Sequence, residues 1–147
     1  MTLHRRPLGR GRTLAAISGP LIIVGCVLRW WQVGGTPGIT ALSGNGLNGS
    51  GILVFLVGIT TLALVVLPYA IGDRPLGLDR WLTFAILAVA GWIGFAWQII
   101  QLALNGQFQF DTPAEVFTDG PGLWIAALGL VILSRAAWTM TRESAYR

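Results

Sequence analysis

The sequence predicts an all-α membrane protein: a four-transmembrane-helix bundle with a small extracytoplasmic cap. Three observations carry that reading. Hydrophobic residues make up 54% of the 147 residues and charged residues only 11%, with a mean hydropathy of +0.67; a soluble domain carries about 25% charged residues. So few charges cannot cover a water-facing surface, whereas a bilayer supplies the missing apolar solvent. The apolar residues gather into four runs, each matching the roughly 20 residues needed to cross hydrocarbon. All ten basic residues are arginines, and they concentrate on alternate connections, as the positive-inside rule requires of a multi-pass chain.

In order, residues 1–12 form a basic cytoplasmic tail holding Arg5, Arg6, Arg10 and Arg12 without an acid. The first span is expected at about 13–33, with Gly19-Pro20 kinking it because proline cannot donate to its helical carbonyl. Ile23-Val24-Gly25-Cys26 is similar to a lipoprotein cleavage sequence. The apolar run continues through Val27 and Leu28, however, which favours an uncleaved span. Arg29 then falls about one turn inside the outer end.

The first outer loop, 34–50, carries turn signals at Pro37-Gly38 and Ser43-Gly44-Asn45-Gly46, with Asn48 or Ser50 placed to cap the next helix. The second span is expected at about 51–71, stopped by Pro68 and Gly72. A short cytoplasmic loop with Arg74 and Arg80 leads to the third span, at about 80–104. The second outer loop, 105–120, alternates in Gln107-Phe108-Gln109-Phe110-Asp111. Thr112-Pro113-Ala114-Glu115 then reads as a capping box for one turn of helix through Phe117. The fourth span is expected at about 121–140, and the tail after it carries Arg142 and Arg147.

Nine arginines thus lie at cytoplasmic ends, against Arg29 alone outside. Both termini are expected in the cytoplasm of a bacterial plasma membrane, and the whole chain, 1–147, forms a single integral membrane domain. Trp30, Trp31 and Trp124 are expected to anchor the outer boundary, and Trp81 and Trp138 the inner one.

The most informative intramembrane pattern is on the third span. Gly91, Gly94, Gln98, Gln101 and Asn105 step by three, four, three and four residues, so they share one helix face. That face is small at mid-membrane and polar toward the outside. By helical rise, Arg29 lies level with Gln98 and Gln101. A candidate polar cluster of Arg29, Gln98, Gln101 and Asn105 follows, with Asp111, Glu115 and Asp119 as candidate acidic partners above it. In this arrangement Arg29 joins the first outer loop to the third span. The plainer alternative is an arginine snorkelling to headgroups beside Trp30 and Trp31. For the cap, two alternatives stand: strands near 39–42 and 107–110 pair across the two loops, or both loops are irregular and Gly-rich.

Several classes of chemistry find no residues. There is no phosphate loop with lysine, no paired histidines and no His-Asp-nucleophile set. The lone Cys26 excludes an internal disulfide and a cysteine metal cluster. No catalytic residue, cofactor or metal site is expected, nor a nucleic-acid partner.

Trp30-Trp31, Ser43-Gly44-Asn45-Gly46-Leu47, Gly49-Ser50-Gly51 and Gly120-Pro121-Gly122-Leu123-Trp124 resemble the layout of small actinobacterial four-span, Trp-rich (tryptophan-associated) transmembrane proteins. That group is largely uncharacterised and brings no catalytic residues to transfer. The layout also resembles the claudin type in topology alone, since the claudin first-loop cysteine pair is missing. The functional expectation is a non-enzymatic accessory subunit, embedded in the lipid bilayer, that binds a partner protein or another copy through its cap or its small-residue helix faces. The alternative is an oligomeric conduit for a small solute or ion, using Arg29 and the Gln98/Gln101 face.

Overall fold

The computed structural model describes residues 9–71, 81–108 and 114–145. Helix α1 (Arg10–Val27) leads into a hairpin of β1 (Arg29–Val33) and β2 (Leu42–Asn45), followed by α2 (Gly51–Ile71) and α3 (Trp81–Leu104). The short α4 (Glu115–Asp119) precedes α5 (Pro121–Ala145). Helix α1 packs between α2 and α5, and α3 closes the ring by touching α2 and α5. Helices α1 and α5 are antiparallel, with Gly11 beside Met140 at one end and Gly25 beside Ala126 at the other. The hairpin crowns this second end; the first, where α1 begins and α5 finishes, is the terminal end.

Among the described residues three stretches are long and apolar enough to cross a membrane: Arg10–Val27, Trp81–Leu104 and Pro121–Glu143. In α2 the described apolar stretch is Gly51–Leu67. The outward helix faces carry Ile17, Val24, Ile59, Val89, Ile93 and Val131, all exposed. Apolar surface this extensive is what lipid, rather than water, would cover. Inside, Ile22, Trp30, Val54, Phe84, Leu130 and Leu133 are fully buried.

Helix boundaries agree with the sequence where an apolar run stops at a breaker, as at both ends of α2. They differ where it does not. Helix α1 ends at Val27, well before residue 33, because Leu28 turns extended (φ −72°, ψ 163°) and the next five residues form β1. Arg29 therefore lies on a strand and not inside the first helix. Trp, Val and Gln at these positions suit a pleated strand as well as a helix. Helix α5 runs on to Ala145, past the expected 140. Helix α4 spans Glu115–Asp119 from an N-cap at Ala114 that makes no side-chain cap bond; Thr112 and Pro113 lie outside the described residues.

The sheet also differs from expectation. Its two strands belong to the same loop: Val33 pairs with Leu42, Gln32 with Ser43 and Trp31 with Gly44, antiparallel. The expected strand at 39–42 overlaps β2 at Leu42 alone. Gln107 and Phe108 lie in no strand, and 109–110 fall outside the described residues. The chain reverses through Gly34, Gly35 and Gly38, all at φ between 83° and 95°, a region glycine enters without steric cost. Closing this short turn orders far less chain than pairing two loops separated by two helices.

Candidate functional site

The hairpin is fastened to the helices by Trp30. Register slips between Arg29 and Trp31, so Trp30 occupies a bulge, and a bulge re-aims a side chain that alternation would send elsewhere. Its indole enters the core with no exposed surface. Nε1 donates to the Gly25 carbonyl at 2.8 Å, satisfying the ring's polar edge with a carbonyl from the end of α1. The ring meets Phe95 edge to face at 5.4 Å, a favoured aromatic geometry. Its other side lies against Gly46, where a β-carbon would stand 2.5 Å from the indole. Gly46 N–H also donates to the Cys26 carbonyl at 2.9 Å. Trp30 is thus a core plug, not a boundary anchor. Trp31 is half-buried over Gly44.

These contacts give the glycines of Ser43-Gly44-Asn45-Gly46 and Gly120-Pro121-Gly122 a physical meaning. Gly120 makes room for the Trp30 carbonyl, and Gly122 for the carbonyls of Gly25 and Leu28. Each stands where backbone or an indole takes the place of a side chain.

The amides of α3 are engaged, though not by Arg29. Gln98, 4% exposed, accepts from Ser50 Oγ at 2.8 Å and from the Gly51 N–H at 3.1 Å. Gly51 begins α2, so a glutamine from another helix serves an N-terminal donor that the helix itself leaves unpaired. Ser50 Oγ also lies 3.1 Å from the Gln101 side-chain oxygen. One hydroxyl carries one proton, so exchanging the Gln101 amide O and N makes this second contact a bond donated to Ser50. Asn105 is exposed, and its backbone N–H caps back to the Gln101 carbonyl.

Arg29 is exposed and donates to Gln32 Oε1 within its own strand. It borders an open cleft of about 250 Å³ with Val27, Ser43, Asn45 and Asn48. The proposed union of Arg29 with Gln98 and Gln101 is replaced by two separate groups, because the turn out of α1 carries Arg29 to the hairpin surface. Of the acids, Asp111 lies outside the described residues. Asp119 Oδ1 accepts from Thr118 Oγ1 at 3.4 Å, and Glu115 is half-buried at the start of α4.

Trp81, Trp124 and Trp138 are exposed. Trp124 stacks on Phe117 at 4.3 Å, and Arg142 sits 5.6 Å over Trp138. The sequence reading missed Trp92, whose Nε1 donates to Ser134 Oγ at 3.0 Å across α3 and α5; a serine within an apolar run was the available signal. It also missed Ile39 and Leu42 as surface features. These are 63% and 65% exposed on the turn and tip of the hairpin.

Among the described residues no three His, Cys, Asp or Glu side chains gather as metal ligands. Against known proteins the chain matches no family model, no curated protein and no solved structure.

Proposed function

We propose that the protein is a non-catalytic, four-span subunit of a bacterial plasma membrane, with both termini cytoplasmic, whose hairpin cap docks a partner protein on the outer side. The observation that carries this reading is the pair Ile39 and Leu42, exposed on a hairpin that Trp30 locks to the helices. An ordered, outward apolar pair pre-pays the ordering cost of binding. The small-residue helix faces support docking less well, because they are filled from within: Gly91 by Leu130 and Val57, Gly94 by Leu53. The conduit alternative draws no support from Gln98 and Gln101, which are spent on Ser50 and Gly51. Arginine placement supports the orientation, since Arg135 and Arg142 flank the terminal end of α5 while, among the described arginines, Arg29 alone lies at the hairpin end.

A photoreactive amino acid at position 39 or 42, activated in native membranes, tests the docking surface. Discrete protein adducts are expected from both positions and not from Val131 on the outward face of α5. Adducts with lipid alone, or the same adducts from all three positions, would sink the reading.

A further inference from the structure

A second feature lies at the opposite end, on the outside of the helices and away from the cap. Between α3 and α5 runs a groove of about 440 Å³, within the roughly 300–1,000 Å³ typical of ligand clefts. Ala85, Ala88 and Ala137 form its floor, and Trp81, Trp92 and Trp138 its walls. Toward the hairpin it is closed where Trp92 bonds Ser134 and Gly91 admits Leu130 against α3. From Trp81 to Trp92 the helical rise gives about 16 Å, close to half of a ~30 Å hydrocarbon layer. The groove therefore begins at one boundary and ends near mid-membrane, the depth of a single leaflet.

Among the described residues its open end carries a cation. Thr141 lines it, and the Arg142 guanidinium lies 5.6 Å above the Trp138 ring that forms one wall. Arg142 is exposed. The neighbouring Glu143 carboxylate turns instead toward Gly9 at the start of α1, where a β-carbon would lie 3.0 Å from it. We propose that this groove holds one acyl chain of an anionic phospholipid from the leaflet at the terminal end, with Arg142 meeting its phosphate. Apolar floor, aromatic walls, one-leaflet depth and a cation at the mouth match that molecule part by part. The proposal rests on the membrane reading above and not on what the cap binds.

The test is native mass spectrometry of the full chain in mild detergent, with equal amounts of dioleoyl phosphatidylglycerol and dioleoyl phosphatidylcholine. The wild type is expected to retain phosphatidylglycerol preferentially. Arg142→Gln should lower the phosphatidylglycerol-to-phosphatidylcholine ratio about fivefold, the worth of one basic residue near an anionic surface. Ala85→Phe, which fills the floor, should lower retention of both lipids. Equal retention of the two lipids by the wild type overturns the proposal, as does a ratio that Arg142→Gln leaves unchanged. So does a dimer that Ala85→Phe converts to monomer, since a second copy would then occupy the groove. Should Ala85→Phe lose helical content by circular dichroism, the Arg142→Gln ratio decides alone.

Discussion

Helix α5 meets α1 and α3 in two different ways. Against α1 it comes within backbone distance: a β-carbon on Gly25 would lie 2.7 Å from Ala126 Cα, and one on Gly129 would lie 2.9 Å from the Ile22 nitrogen. Against α3 it makes side-chain contacts, Leu130 over Gly91 and Trp92 to Ser134, and below them a groove stays open. Both interfaces use small residues, with opposite results. Where the partner presents its own backbone to the vacant position, the seam closes. Where it stands off behind a tryptophan, the small residues become the floor of a cleft. In lipid, whose tails are as apolar as leucine, close packing is what distinguishes a firm seam from a loose one.

The sharpest way to break this comparison is a matched pair of substitutions. Gly25→Val forces a side chain into the Ala126 backbone, which cannot rotate away as a side-chain end can. Overpacking typically costs about 1–3 kcal/mol and occasionally more, and a clash with backbone belongs at the upper end. Ala85→Val ends in the same side chain, adds two carbons to the groove floor against three at position 25, and should change stability by less than about 0.5 kcal/mol. Thermal unfolding in detergent, followed by circular dichroism, reads both. Equal losses would mean that the two interfaces do not differ as described.

The α2–α3 contact sits between these extremes. Gly94 receives Leu53, but the end of the seam is stitched by an amide instead of being packed. Gln98→Leu keeps the volume and removes the acceptor, leaving the Gly51 N–H short of a partner while the Ser50 hydroxyl keeps Gln101 within reach. Leaving a buried donor unpaired costs about 1–3 kcal/mol, so this variant should melt between the two above. Ser50→Ala, which deletes one donor and keeps the Gln98–Gly51 bond, should lose less. If Gln98→Leu is as stable as wild type, the α2 N-terminus does not depend on α3.

How far the sequence could be read follows the same division. Long apolar runs located α2 and α3 to within a residue, because hydrocarbon thickness and helical rise leave few alternatives. The stepped pattern Gly91, Gly94, Gln98 was legible as one face, and all three residues are buried. Which partner would meet that face was not legible. Depth arithmetic put Arg29 level with Gln98, but matching depths says nothing of which helix turns toward which. It also assumed that the first helix continued through Trp30 and Trp31. Adjacent tryptophans satisfy the boundary preference equally well on paper, yet a one-residue bulge buries the first and half-exposes the second. Register within a short hairpin is set by where the chain turns, and in this loop several glycine positions offered a turn.

Arg29 gives the smallest expected effect and the cleanest check on that lesson. As an intramembrane charge bound to Gln98 and Gln101, its loss would leave buried amides unpaired and cost about 1–3 kcal/mol. On the structure described, the guanidinium is exposed and its bond to Gln32 is local, the kind of surface contact whose removal costs at most about 0.5 kcal/mol. Arg29→Ala and Arg29→Leu should therefore melt within that margin of wild type. A loss as large as that of Gln98→Leu would restore the link between the first loop and α3. A small loss in both variants, beside a clear one for Gln98→Leu, places the coupling of hairpin, α2 and α3 in Trp30, Ser50 and Gln98. It would leave Arg29 available at the surface beside the Ser43–Asn48 cleft.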